Sequence, residues 1–317
     1  MLQFPEDYFQ EEVRCDFTVS STMKRYWAAQ MEVLQEVISI CEKYSLTYYA
    51  FWGTLLGAVR HKGFVPWDDD IDIALKREDY QKFLQVAGKE LPAGWHIRNS
   101  YEEEGWDQYH CVVTNELVID ISQERLSRFH GCPFVVCVDI FPLDYIPNAP
   151  QEAEAQRALL HMIHILLTSI KYLHTDMHDA TPEEIQETKE NVEEGLVELE
   201  KICQVSFDRS KSVLNQLFRL FDKICMLYGS EDADLMTFYP TYAKGRDFSW
   251  RKEWFGTAQQ PFENMVLTVP SDADKVLRAY YGDYTVFVKN TQEHEYPGYK
   301  RELEILHEKG LWLDVQE

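Results

Sequence analysis

The sequence predicts an α/β protein in which a mixed layer of short strands and helices is followed by a large helical insertion. Strand-like runs alternate with amphipathic stretches up to about residue 150, long helical stretches come next, and a further strand and helix lie near the C-terminal end. With 45% hydrophobic and 14% aromatic residues, the 317-residue chain can bury a sizeable core as one large domain or two smaller ones.

The first predicted element is an amphipathic helix from Ser21 to about Lys43, because apolar residues recur there at intervals of three and four. The aromatic run TYYAFW then predicts a strand, and GTLLGAVRHKG predicts a turn, a helix and a second turn. From Asp70 to Leu75, alternating charged and apolar residues predict a strand with one acidic face. A helix over Lys76–Glu90 and strands at HCVVTN, LVIDIS and PFVVCVDIF complete this part.

The segment around Pro150 is the predicted boundary between the first part and the helical insertion. Beyond it, helices are predicted at about Gln151–Tyr172, Pro182–Cys203 and Asp208–Tyr228, followed by a strand at MVLTVP and a helix opening at Ser271 or Asp272. We therefore expect an α/β core over residues 1–150, a helical insert over 151–235 and a C-terminal portion over 236–317 that folds back on the core.

The charge balance excludes general nucleic-acid binding. Lys and Arg total 31 against 54 Asp and Glu, which gives a net charge of −23, and such a surface repels a phosphate backbone. An anionic substrate must therefore be met by a local cationic pocket or by a bound metal ion.

The seven cysteines are scattered without a CxxC pair, which indicates reduced thiols and a reducing compartment. The first residues lack the apolar run of a signal peptide, and no stretch approaches about 18 uninterrupted apolar residues. We expect a soluble, cytoplasmic protein with no transmembrane segment.

The segment WDDDIDI is the strongest candidate for chemistry. If it is extended, the side chains of Asp68, Asp70 and Asp72 lie on one face, and Ile71 and Ile73 lie on the other. Carboxylates this close repel one another, and a hard divalent ion such as Mg²⁺ or Mn²⁺ relieves that repulsion while leaving coordination positions for substrate phosphates. The alternative is a solvated acidic turn, against which the apolar opposite face argues.

Asp139 is a candidate third carboxylate, because it ends an apolar, β-branched run where a buried strand would expose it. It could bind the metal or act as a general base toward an acceptor hydroxyl. A strand-end Asp that caps a turn is an equally ordinary interpretation.

Residues ahead of the acidic segment could bind phosphate. Gly53 and Thr54 stand at a helix start, where backbone N–H groups favour anions. A basic run follows at Arg60, His61 and Lys62. Taken singly, these features are more often a helix cap and a solvated helix end. Their order, with a phosphate-binding turn, a helix and a basic turn before the carboxylates, is what favours a binding site.

The stretch FWGTLLGAVRHKGFVPWDDDIDIAL closely resembles the signature of the LicD family, the phosphocholine transferase group that also includes the fukutin-related proteins. VDIFPLDYIP resembles the family's second acidic element, and PFENMVLTVPSDADKVLRAYYGDY resembles its C-terminal element. The resemblance therefore extends over roughly residues 48 to 284.

The resemblance implies a nucleotidyltransferase fold related to polymerase β, with a mixed sheet, in which residues 1–150 form the catalytic core and 236–317 complete the active site. It implies that Asp70 and Asp72 are the metal-binding pair and that Asp139 is the third carboxylate. It also gives Asp68 a role at the metal, and Glu263 and Asp283 a role in substrate binding. Trp67 beside the acidic segment is expected to line the site.

The resemblance further implies a metal-dependent transferase that moves a phosphate-linked group, phosphocholine before others, from a cytidine diphosphate (CDP) donor to a sugar hydroxyl. The acceptor would be a surface glycan of the lipopolysaccharide or teichoic acid kind, with peripheral association where that acceptor is membrane-linked. Two alternatives stay open. The protein could be a true nucleotidyltransferase that releases pyrophosphate, or a non-catalytic calcium-binding module, although WDDDIDIALKRE lacks the central glycine of an EF-hand.

Overall fold

A computed structural model describes residues 1–175, 180–244, 248–289 and 296–311. The chain forms two compact units. The first unit comprises Met1–Ile97, His110–Pro142 and Glu253–Glu317, and the second comprises Arg98–Tyr109 and Leu143–Lys252. The division into core, insert and C-terminal portion that the sequence suggested stays a prediction.

Helices and strands alternate along the first unit, as the sequence predicts. The helices of the chain are α1 (Ser21–Lys43), α2 (Trp52–Arg60), α3 (Arg77–Glu90), α4 (Gln123–Arg128), α5 (Pro150–Thr175), α6 (Pro182–Cys203), α7 (Val213–Cys225), α8 (Tyr239–Ala243), α9 (Ala273–Tyr281) and α10 (Lys300–Glu308). The strands are β1 (Glu12–Arg14), β2 (Phe17–Val19), β3 (Tyr48–Ala50), β4 (Asp72–Lys76), β5 (His96–Arg98), β6 (Cys111–Thr114), β7 (Cys137–Ile146), β8 (Leu235–Thr237), β9 (Trp250–Arg251), β10 (Thr257–Phe262) and β11 (Met265–Pro270).

The main sheet of the first unit has the strand order β3-β4-β7-β6-β5. The pairs β3–β4 and β6–β7 are antiparallel, and β1–β2 and β10–β11 are separate antiparallel pairs. The expected mixed α/β architecture is confirmed. Because β4 and β7 are neighbours at the centre of this sheet, the acidic segment and the predicted second acidic element lie side by side.

Helix α1 begins where the sequence predicts it. The Ser20 side chain accepts a hydrogen bond from the Met23 N–H and so caps the first turn. Trp27 and Met31 are fully buried, as expected of an apolar face repeated every three to four residues. The helix therefore packs its apolar face into the core of the first unit.

The second unit is built around helices α5, α6 and α7. Their apolar faces form one hydrophobic core that includes Leu160, Leu199 and Leu217, each with 0% exposure. Helix α7 begins at Val213 rather than near Asp208, because the Ser212 side chain caps it by accepting from the Asn215 N–H. Among the described helices, none combines the length and the apolar character that crossing a bilayer requires.

Two strand predictions are wrong in detail. LVIDIS forms no strand, and Leu117 and Val118 are exposed. The Asp120 carboxylate instead accepts from the Ser122 N–H and hydroxyl, and Ser122 caps α4. Strand β7 continues to Ile146, so Asp139 lies within a strand and does not end one.

Candidate functional site

The acidic turn, residues Trp67–Asp72, is held in place by helix α1. The Trp27 indole N–H donates to the carbonyl of Asp68 at 3.0 Å, and the Gln30 amide donates to the carbonyl of Asp69 at 2.8 Å. The Asp68 N–H donates to the carbonyl of Val65 at 2.9 Å, which closes a tight turn before the strand. Buried backbone carbonyls are satisfied in this way without using the carboxylates.

Burial alternates from Asp68 to Ile71 as the sequence predicts, but Asp72, which was expected on the same face as Asp68 and Asp70, is buried as well. Asp69, Ile71 and Ile73 are 2%, 0% and 0% exposed, whereas Asp68 and Asp70 are half-buried. Strand β4 begins at Asp72, two residues later than expected, so Asp68 and Asp70 lie on extended chain outside the strand. The buried Asp69 carboxylate accepts from the Gly298 N–H at 2.5 Å.

Carboxylate oxygens crowd at the acidic turn. One oxygen each of Asp68, Asp69 and Asp70 lies within 4.8 Å of the others. Asp72 is buried beside them, and its pKa is raised well above the usual range by burial and then by the charges of Asp70, Asp139 and Asp68. Oxygen ligands at this density fit a hard divalent cation such as Mg²⁺ or Mn²⁺, which would relieve the repulsion. Asp69 was not among the predicted ligands, because strand alternation assigns it to the opposite face.

The start of helix α2 is bound to the backbone of Asp72. The Asp72 N–H donates to the Thr54 hydroxyl at 2.8 Å, and the Asp72 carbonyl accepts from the Phe51 N–H at 3.0 Å. Thr54 is 2% exposed, so its hydroxyl fixes the acidic strand. A Cβ atom at Gly53 would overlap Oδ2 of Asp68, which means that only glycine permits this close approach.

Asp139 lies on β7, opposite Val112 of β6. Its N–H donates to the carbonyl of Ile71 at 2.9 Å, so its backbone is fixed directly to the acidic segment. Its carboxylate Oδ2 lies 3.5 Å from Nε2 of His110, and the Asp139 side chain is 25% exposed. His110 was missed by the sequence analysis, since a lone histidine before a strand carries no pattern.

The basic turn after α2 carries less charge than its sequence suggests. Burial, and then the charges of Arg60 and Arg14, lower the pKa of His61 to about 4, so this imidazole is neutral at pH 7. Arg60 donates to the carbonyl of Tyr284 at 2.6 Å, and its guanidinium lies 4.7 Å from the ring centre of Phe287. The Lys62 ammonium donates to the Val59 carbonyl and to the Gln260 side chain, both at 3.1 Å. The contacts of Arg60 and Lys62 thus tie α2 to the C-terminal part of the first unit.

The remaining predicted residues lie in three different settings. Trp67 is 4% exposed and contacts the rings of Phe17, His61 and Phe287 edge-on or tilted. Glu263 forms an ion pair with Arg14 at 2.6 Å and accepts from the Phe64 N–H at 3.2 Å. Asp283 accepts from the N–H and hydroxyl of Thr285 in an exposed turn. These contacts of Glu263 and Asp283 do not involve a carboxylate of the acidic turn.

The comparisons with known proteins converge on the same segment. Residues 45–149 match the family model described as LicD/FKTN/FKRP, nucleotidyltransferase domain. The chain is 26% identical over 266 residues to the lipopolysaccharide cholinephosphotransferase LicD of Haemophilus influenzae, a match that covers 83% of this chain and 91% of that protein. The ribitol 5-phosphate transferases FKRP of mouse and human are each 32% identical over 92 residues, covering 26% of this chain and 19% of those proteins.

The matched segment contains strands β3, β4 and β7, the acidic turn and Asp139. The sequence motifs, the geometry of this site and the similarity along most of the chain therefore agree. Over residues 45–149, this protein is therefore similar to the nucleotidyltransferase domain of the LicD family.

Proposed function

We propose that this protein is a metal-dependent transferase that moves phosphocholine from a CDP-activated donor to a sugar hydroxyl of a glycan. The observation that carries the proposal is the cluster of Asp68, Asp69 and Asp70 oxygens within 4.8 Å of one another, next to buried Asp72 and to Asp139, whose N–H donates to the carbonyl of Ile71, within the segment that matches the family. The names of the relatives, a lipopolysaccharide cholinephosphotransferase and ribitol 5-phosphate transferases, support transfer of a phosphate-linked group to a glycan.

Phosphocholine is preferred over ribitol phosphate because of how much of each relative is matched. The similarity to the cholinephosphotransferase extends over 91% of that protein, whereas the similarity to the ribitol phosphate transferase extends over 19%. The fold proposed for the catalytic core is that of a polymerase β-like nucleotidyltransferase, which the family model and the central position of β4 and β7 support.

In this mechanism, Asp70 and Asp72, together with Asp139 and Asp68, would hold Mg²⁺ or Mn²⁺. When bound, such a cation supplies positive charge that offsets the negative charge of the donor diphosphate. The acceptor hydroxyl oxygen forms a bond to the phosphorus distal to cytidine, the bond from that phosphorus to the bridging oxygen breaks, and cytidine monophosphate (CMP) leaves. The hydroxyl proton passes to the partly exposed carboxylate of Asp139, which His110 orients.

We place the reaction in the cytoplasm, where a chain whose seven cysteines are all free thiols is stable. A glycan acceptor carried on a lipid would then be reached by peripheral association at the membrane surface.

The test is a release assay with purified protein, Mg²⁺ and CDP conjugates of choline, ethanolamine, ribitol and glycerol, with CMP followed by chromatography. We expect CMP release from CDP-choline when a glycan acceptor is added, loss of release in Asp70→Asn, and no loss in Asp208→Asn. Asp208 makes a matched control because it is an exposed aspartate in the second unit whose carboxylate accepts from Ser210.

Other results of this assay would replace the proposal. Pyrophosphate released from a nucleoside triphosphate would identify a true nucleotidyltransferase. Full release by Asp70→Asn with its fold intact would remove the acidic turn from the mechanism. Calcium-dependent stability without any nucleotide binding would identify a metal-binding interaction module.

A further inference from the structure

Three aromatic side chains meet at the edge of the acidic turn. We name Trp52, Tyr280 and Tyr281 the aromatic corner. The ring centres of Trp52 and Tyr280 are 4.2 Å apart with an interplanar angle of 49°, and those of Tyr280 and Tyr281 are 4.5 Å apart at 89°. The Tyr280 ring thus packs at a steep angle against Trp52 on one side and against Tyr281 on the other.

Buried rings lie against the corner and support it. Phe51 and Phe141, which are 1% and 8% exposed, lie 4.2 Å and 6.4 Å from the Trp52 ring centre. By contrast, Trp52 and Tyr280 are half-buried, and Tyr281 is 37% exposed. The corner is therefore a rigid aromatic surface with accessible area, unlike rings that are enclosed in the core.

The corner stands next to the carboxylates. Trp52 directly precedes Gly53, whose backbone approaches the Asp68 carboxylate so closely that a Cβ atom would overlap it. The supporting Phe141 lies two residues after Asp139 and stacks on His110 at 4.4 Å. The carboxylates of Asp72, Asp68 and Asp70 also lie close enough to Tyr281 for their charges to act on its hydroxyl.

The backbone of Trp52 is strained. Its φ is +37°, in the region that favours glycine, although Trp is a bulky residue. Strained backbone of this kind costs on the order of 1–3 kcal/mol and persists where the surrounding structure or a function requires it. A glycine would remove the strain together with one wall of the corner.

The combination of π faces and nearby carboxylates selects a cation that cannot donate hydrogen bonds. A quaternary ammonium group gains from aromatic faces and from the negative field of the acidic turn. A polyol such as ribitol needs several hydrogen-bond partners, and the three rings offer only two tyrosine hydroxyls and one indole N–H. An uncharged apolar group would gain nothing from the carboxylates.

We propose that the aromatic corner binds the trimethylammonium group of phosphocholine and so selects the transferred group. The inference rests on the proposed function for its choice of phosphocholine, and it names the residues that would distinguish choline from ribitol.

The test compares the binding of phosphocholine with that of 3,3-dimethylbutyl phosphate, in which carbon replaces the charged nitrogen while the shape is kept. Binding is followed with Mg²⁺ by the NMR shifts of the ligand methyl protons. We expect wild-type protein to prefer phosphocholine by roughly threefold to thirtyfold, the range of one to two cation–π contacts. Tyr281→Phe keeps a ring and should keep the preference, whereas Tyr281→Leu should reduce it severalfold.

Tyr172→Leu is the matched control, because Tyr172 is also 37% exposed but lies on α5 in the second unit. Trp52→Phe and Trp52→Leu form a second pair with the same expected order, and circular dichroism checks that each variant is folded. Equal binding of the two ligands by wild-type protein would overturn the inference. An unchanged preference for phosphocholine in both Tyr281→Leu and Trp52→Leu would overturn it as well. Selective phosphocholine binding without any CMP release would support the role of the aromatic corner but contradict the proposed reaction.

Discussion

Asp72 and Glu263 are two buried acidic side chains of the first unit whose neighbours carry opposite charges. Glu263, at the turn between β10 and β11, has a 6% exposed side chain paired with the Arg14 guanidinium. Burial lowers the pKa of Arg14, but the hydrogen bonds and charge of Glu263 outweigh it and raise that pKa above its usual value. Asp72 is equally buried, and the neighbours that act on its carboxyl are Asp70, Asp139 and Asp68.

The difference separates a structural carboxylate from a candidate functional one. An ion pair with supporting hydrogen bonds compensates the cost of burying a charge, so Glu263 fastens the N-terminal segment to the hairpin. Crowded carboxylates store repulsion instead, and proteins retain that arrangement where a cation or substrate relieves it. The family resemblance places both residues in the site, Asp72 at the metal and Glu263 at the substrate, whereas their observed neighbours differ in kind.

The largest expected effect comes from Asp72→Asn. The variant should lose roughly 10³-fold or more of CMP release, because a charged group at the proposed reaction centre is removed. In EDTA its free energy of unfolding should not fall, because the mutation removes a buried charge that neighbouring charges repel. CMP chromatography and urea denaturation measure the two effects. An Asp72→Asn variant that is both active and strongly destabilised would show that Asp72 is a structural carboxylate and not a functional one.

Glu263→Gln should show the converse pattern. Removing the Glu263 charge leaves the Arg14 guanidinium with Glu12 as its remaining ion-pair partner, and this should lower the free energy of unfolding by about 1–3 kcal/mol, while CMP release per folded molecule is retained. Urea denaturation at constant salt measures the loss, and Glu253→Gln on the exposed surface is the control, with an expected change below about 0.5 kcal/mol. Normal stability combined with lost release would place Glu263 in the substrate site, as the sequence first suggested.

Glu302 on α10 gives an intermediate case with a pH signature. Burial raises its pKa to about 7, although the Val135 N–H and the Arg125 charge act in the opposite direction. Because the folded state holds this proton more tightly than the unfolded state, its contribution to stability is present below the ordinary glutamate pKa of 4.5 and is lost as pH rises to about 7.

Because of Glu302, the free energy of unfolding should fall by about 2–3 kcal/mol as the pH rises from 4.5 to 7. Glu302→Gln, which remains neutral, should remove that pH dependence. Urea denaturation of both proteins across this range checks it. Parallel stability curves for wild type and variant would show that the carboxyl is not held in the protonated form.

Local pattern was sufficient to predict several elements from the sequence. Helix α1, strand β11, helix α6 and the burial of Ile71 and Ile73 follow from spacing and caps, which act over a few residues. LVIDIS failed because its apolar residues find no strand partner, and the Asp120 and Ser122 side chains turn the chain into α4. Apolar, β-branched residues alone do not make a strand without a neighbour to pair with.

The chemical environment of the site residues was less predictable, because distant contacts create it. Glu263 is paired with a residue 249 positions away, and the neutral state of His61 depends on burial together with Arg60 and Arg14. The contact of His110 with Asp139 requires β6 and β7 to pair in the observed register. The spacing of residues in the sequence does not predict these contacts. It does predict that carboxylates of the acidic turn lie close together.

The most direct test of the central claim, that the acidic turn holds the cation on which transfer depends, is Mn²⁺ binding measured by electron paramagnetic resonance. The account predicts that wild type and Glu263→Gln bind Mn²⁺ with similar affinity, and that Asp70→Asn weakens it by at least about tenfold. Equal Mn²⁺ binding by wild type and Asp70→Asn, with both proteins folded, would contradict the account.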